Sequence, residues 1–127
     1  MATTKIPLEL TAYAPDADGA TLELQTTDTT VTDGSVLGKI EFKAPKEASG
    51  TDALLVGAAI EAVAEGTFAA DNNATELVFK TGVSEAASAK MTLSSAGNLA
   101  IAGTLVSTGK ITADAGIDID NFNIDGT

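Results

Sequence analysis

Between residues 97 and 121 a glycine returns every six or seven positions, in the units Gly97-Asn-Leu-Ala-Ile-Ala, Gly103-Thr-Leu-Val-Ser-Thr, Gly109-Lys-Ile-Thr-Ala-Asp-Ala and Gly116-Ile-Asp-Ile-Asp-Asn. A unit that short holds one brief strand and one turn, too little to bury an apolar face by itself. The second wall of the core has to come from neighbouring units or neighbouring chains. Leu99, Ile101, Leu105, Ile111, Ile117 and Ile119 are placed to point toward a common axis, with the glycines at corners that need positive φ or close backbone approach. Ile117 and Ile119 fall on odd positions and Phe122 and Ile124 on even ones, so the phase slips and predicts a bulge or corner at Asp120-Asn121. Two arrangements satisfy the pattern: a β-prism shaft shared by several chains, or a left-handed hexapeptide β-helix within one chain, for which four units are close to the minimum.

Composition narrows the rest. The 127 residues include four Phe, one Tyr and no Trp, and the 44% apolar content therefore rests on aliphatic residues and alanine. Alanine buries little area, so a core built this way is thin and oligomerisation is the expected compensation. The chain lacks His and Cys, and all seven of its basic residues are Lys. The commonest general base, the thiolate nucleophile and the soft metal ligands are missing. Ser-Lys chemistry through Ser88 and Lys90, or paired-carboxylate chemistry, survives on paper, but no spacing selects it. We expect no enzyme, no catalytic residues and no cofactor. A formal charge of −11 and the lack of Arg disfavour nucleic acid. No apolar run approaches the ~18 residues of a membrane span, and no apolar stretch follows Met1-Ala-Thr-Thr-Lys5 as in a secretion signal. Synthesis in a cytoplasm and no membrane insertion are expected.

Along the chain, Pro7, Pro15 and the turn-like Ala14-Pro-Asp-Ala-Asp-Gly19 predict an extended attachment arm over residues 1–20. Thr21-Leu-Glu-Leu-Gln-Thr26 and Val36-Leu-Gly-Lys-Ile-Glu-Phe-Lys43 alternate apolar and polar, which predicts half-buried strands with Ile40 and Phe42 on one face. Asp33-Gly34 is a turn signal between them, and residues 44–50 form a loop. Residues 53–65 carry the helix propensity of Ala and Glu but also Gly57 and the alternation Ala58, Ile60, Ala62, Ala64; strand is the favoured reading and a short helix the alternative. Thr75-Glu-Leu-Val-Phe-Lys-Thr81 and Lys90-Met-Thr-Leu-Ser94 complete an antiparallel meander, with Ser95-Ala-Gly-Asn98 as a turn. The fold class expected is all-β: a central antiparallel sandwich or prism over residues 21–95, followed by a trimeric repeat shaft over residues 96–127.

The segment Glu76-Leu-Val-Phe-Lys-Thr-Gly82, followed by Ser84-Glu-Ala-Ala-Ser-Ala-Lys-Met-Thr-Leu-Ser-Ser-Ala-Gly-Asn-Leu99, resembles one found in tail fibres and related virion appendages of tailed bacteriophages. The opening Met1-Ala-Thr-Thr-Lys-Ile-Pro-Leu-Glu-Leu10 is similar to the start of such structural proteins, particularly those of marine phages. The resemblance implies a homotrimeric β-rich fibre on the virion surface, anchored to other virion proteins by its N-terminus, assembled in the host cytoplasm and directed toward a host surface molecule. A capsid decoration, cement or head-fibre protein is the alternative, and a carbohydrate-binding module is disfavoured by the few aromatics.

Three constellations could carry chemistry. Asp118, Asp120, Asn121, Asn123 and Asp125 form an oxygen-rich run that could hold a hard cation, yet they depart from the calcium-loop pattern and read as the polar faces of alternating strands; no metal site is expected. Lys39, Lys43 and Lys46 form a local basic patch that reads as a solvated strand face. Asn73-Ala-Thr75 is a formal glycosylation acceptor without a secretion signal, and Asp71-Asn-Asn73 reads as a loop.

Overall fold

The computed structural model describes residues 19–44 and 50–116. They form one five-stranded antiparallel sheet in the order of the sequence: β1 (Val36–Lys43), β2 (Val56–Ala64), β3 (Thr75–Thr81), β4 (Ser88–Leu93) and β5 (Leu99–Ile101). The all-β meander expected from the period-two segments is present, and the region 53–65 is strand rather than helix. A single 3-10 turn, Asp52–Leu54, leads into β2. Helix propensity in β2 is overridden because the strand is paired along its length on both sides, with Ile60 opposite Ile40 and Phe79 and with Ala62 opposite Gly38 and Leu77.

The described residues form an open sheet, with no second sheet packed on it among them. One expectation is corrected. Residues 21–26, whose alternation predicted a strand, form none; they pair with no strand of the sheet. Their alternation serves another purpose, since Leu24 packs against β1 where Gly38 leaves room.

The turns are set by named residues. Asp33-Gly34 lies in a turn closed by the Ser35 N–H donating to the Thr32 carbonyl at 3.0 Å, with Gly34 at φ 78°. Glycine at the third turn position supplies the positive φ that a type II turn requires. Gly34 and Ser35 then bond to Ala64 on both sides, extending the β1–β2 ladder. Residues 65–74 are organised by Asn72, whose amide donates to the Thr67 carbonyl at 2.8 Å and whose side-chain oxygen accepts from the Ala74 N–H at 3.2 Å. Between β4 and β5, Gly97 at φ 80° closes a three-residue hairpin loop, its N–H donating to the Ser94 carbonyl at 2.9 Å.

The first unit of the glycine repeat thus enters the sheet as β5, paired with β4 through Leu93↔Leu99 and Met91↔Ile101. Residues 103–116 form no strand and are exposed, Leu105, Val106 and Ile111 among them. Positive φ is found at Gly97 and Gly116 and not at Gly103 or Gly109. Ile117, Ile119 and the corner expected at Asp120-Asn121 lie outside the described residues, as does residues 1–18 of the attachment arm.

Candidate interaction face

The two faces of the sheet differ in kind. Register places Ile40, Ile60, Phe79, Met91 and Ile101 in one row across all five strands, and Gly38, Ala62, Leu77, Leu93 and Leu99 in the next. Cross-strand neighbours share a face, so these ten uncharged, apolar positions are contiguous. Phe42 opposite Ala58 continues the surface at the β1 edge.

The opposite face carries the charges. Its central row runs Lys39, Glu61, Val78, Thr92 and Ala100. The Lys80 ammonium meets the Glu61 carboxylate at 2.6 Å, and Lys39 meets Glu41 at the same distance. The hydrogen bond and charge of Lys39 hold the Glu41 carboxyl below its ordinary range, and Glu41 raises Lys39 in return. Glu61 is nearly buried between Lys39 on β1 and Lys80 on β3, so its charge is compensated where its water has been removed. Of the predicted basic patch, Lys39 is an ion-pair partner, Lys43 is an exposed residue of β1, and Lys46 lies outside the described residues. Lys39 and Lys43 lie on an exposed strand face.

What the sheet fails to bury is the informative feature. Only Ala59, Ala64 and Val78 form the buried apolar core of the described residues, and no large side chain is fully buried. Phe42 remains 55% exposed, Leu99 58%, and Leu77 and Leu93 about two fifths, all on the apolar face. Six of its large side chains leave an apolar patch on the order of 500 Å², at the upper end of what soluble monomers show.

The face is not flat. Gly38 would, with a Cβ, approach the Leu24 Cβ to 2.7 Å and the Leu24 carbonyl oxygen to 3.3 Å, so glycine is required for Leu24 to rest on the sheet there. Beside Leu24 a groove of about 140 Å³ opens, lined by Ile40, Ile60, Ala62 and Leu77 together with Lys39 and Glu61. Sequence reasoning found Ile40 and Phe42 as one face but missed Leu24 as its cover. The signal was Gly38, a residue without a side chain in the middle of a strand, where close approach of another chain segment is the usual cause.

The Asp118 to Asp125 run lies outside the described residues; among those described, no group of three or more acidic residues is arranged to hold a metal. Ser88 and Lys90 both lie on β4, and neither side chain makes a hydrogen bond or ion pair with the other. Asn73 is exposed and its carbonyl accepts from the Thr75 hydroxyl at 3.0 Å. No helix is long and apolar enough to cross a membrane among the described residues. In comparisons with known proteins, no family matches this chain and no curated protein does.

Proposed function

We propose that this chain is a structural subunit of a tailed-phage virion: a trimeric, fibre-like appendage anchored through residues 1–20 and directed toward the host surface. The observation that carries the proposal is the unpartnered apolar face, whose two rows leave Leu77, Leu93, Leu99 and Ile101 in solvent. Burying about 500 Å² per copy at ~25 cal/mol per Å² stabilises by about 12 kcal/mol. Association costs roughly 4–15 kcal/mol, so the gain is of the size an assembly needs. Three copies around an axis would supply the second wall that the glycine repeat also demands, and the charged face would then point outward. The role is mechanical and adhesive, and no reaction is assigned to it.

Light scattering tests the assembly. The full chain should weigh three times its 12.7 kDa. Leu77→Asp, at a position already 42% exposed, should fall to the monomer mass while keeping its β-sheet circular dichroism. A chain ending after Ala102 keeps β5 and should show how far the rest of the repeat strengthens the trimer. A full chain that is monomeric would remove the fibre reading and leave a decoration protein whose face docks on coat subunits. Gold-labelled antibody on purified particles then separates tail from head.

A further inference from the structure

The two outer edges of the sheet differ in length and charge. The Gly82 N–H donates to the Gly57 carbonyl at 2.8 Å, so the odd-numbered residues of β2 bond to β3, and Ala58, Ile60 and Ala62 bond to β1. Their partners on β1 are Phe42, Ile40 and Gly38, which leaves the N–H and C=O of Lys39 and Glu41 pointing away from the sheet. Among the described residues no backbone group bonds to them. Register shifts between Val36 and Gly38 and between Phe42 and Lys43 bound the run, so the regular edge is Gly38 to Phe42 and its centre is Ile40. The other edge, β5, is three residues long and carries no charge. An unpaired strand edge is a template for a further strand.

We propose that β1 pairs antiparallel with β1 of a second copy, across a two-fold axis at Ile40. Charge selects both the partner and the register. Centred on Ile40, the pairing sets Lys39 of each copy directly opposite Glu41 of the other, at the positions that exchange backbone hydrogen bonds. Backbone bonds and two opposite-charge pairs then form together, from side chains that are 52% and 38% exposed in the single chain. Shifted one step either way, the axis falls on Lys39 or on Glu41 and sets like charges face to face, which is destabilising. Phe42, 55% exposed at this edge, comes opposite Gly38 and beside Leu24. The β5 edge of a second copy offers neither the length nor the charges to compete. Five paired residues fall short of the ~1,000 Å² of a specific interface, so the contact closes at high protein concentration and leaves the mass in dilute solution to the apolar face. It uses an edge and not that face, and it stands or falls apart from the trimeric reading.

The chain has no cysteine, so one introduced at the axis reports the contact. Residues that face each other in a non-hydrogen-bonded antiparallel pair have Cα atoms about 4.5 Å apart, inside the ~7 Å that a disulfide allows. In concentrated solution under mild oxidation, full-length Ile40→Cys should give a covalent pair on a denaturing gel. Phe42→Cys, four residues out of register with its counterpart and therefore about 14 Å from it along the strand, should give less than about a tenth as much. Added to Ile40→Cys, either Lys39→Glu or Glu41→Lys alone should abolish the pair. Mixed before oxidation, these two double variants should restore it as a product with one chain of each, identified by its mass. Equal yields from Ile40→Cys and Phe42→Cys, a covalent pair that survives either charge variant alone, or a mixture that fails to cross-link would each overturn the edge pairing. A trimer mass for the parent in dilute solution beside any of those failures leaves the trimeric reading standing. A monomer mass beside the expected products removes that reading and keeps the edge contact.

Discussion

Glu65 shows how a single exposed side chain ties distant parts of the sheet together. It sits just beyond β2, its own N–H donates to the Ala74 carbonyl, and its carboxylate accepts the Ser95 N–H at 2.8 Å across thirty residues. Hydrogen bonding from Ser95, through side chain first and backbone second, holds the Glu65 carboxyl below its ordinary value of 4.5. A depressed carboxyl contributes stability that is present above the unfolded value and is lost as pH falls through the folded one. Glu65→Gln should therefore lower the urea midpoint at pH 7, and the gap from the parent should close as the pH falls below about 4. A gap that persists unchanged at pH 3 would mean the contribution is packing and not charge. Glu41 is shifted in the same direction by Lys39, so the variant keeps part of the parent's acid sensitivity.

At the scale of elements, the β4–β5 hairpin depends on one backbone angle. Gly97 has nothing within 4 Å of the position a Cβ would take, so substitution there costs conformation and not space. Gly97→Ala should destabilise by ~1 kcal/mol, and Gly97→Asn by less, since Asn enters the left-handed region more readily. Equal losses for the two, or faster amide exchange elsewhere than in β5, would argue against this account. The strands themselves were legible in the sequence: the alternation around Ile40 and Phe42, the β-formers of 75–81 and the turn at 95–98 all stand where read. Residues 21–26 were misread because alternation reports a half-buried extended segment, and a segment resting on a sheet through Leu24 satisfies the same pattern as a strand within it. The candidate face was only half legible. One face of each strand could be assigned, but the groove beside Leu24 depends on Gly38, Ala62 and Leu77 being brought side by side by register.

For the whole molecule, charge and hydrophobicity are segregated rather than mixed. Among the described residues no charged residue falls in the two apolar rows, and the ion pairs Lys39–Glu41 and Glu61–Lys80 lie within one chain. Association of chains carrying −11 each works against net repulsion. Salt screens that repulsion, with a Debye length near 10 Å at 0.1 M and near 3 Å at 1 M. The trimer should therefore be tighter at 0.5 M than at 0.02 M sodium chloride, read as the protein concentration at which the scattering mass falls by half. Weakening by salt would point instead to charge pairs between copies.

The order of the strands has a kinetic consequence. Each strand of the sheet pairs with the next in the chain, β1 with β2 through to β4 with β5, and no strand waits for a distant partner. Sheets built from adjacent hairpins close shorter loops than sheets whose strands cross over, which speeds folding relative to those. A nascent chain can therefore complete its hairpins one after another as it leaves the ribosome. In the proposed assembly the apolar face is formed before a second copy arrives, so the encounter is between folded surfaces and its rate is set by chain concentration.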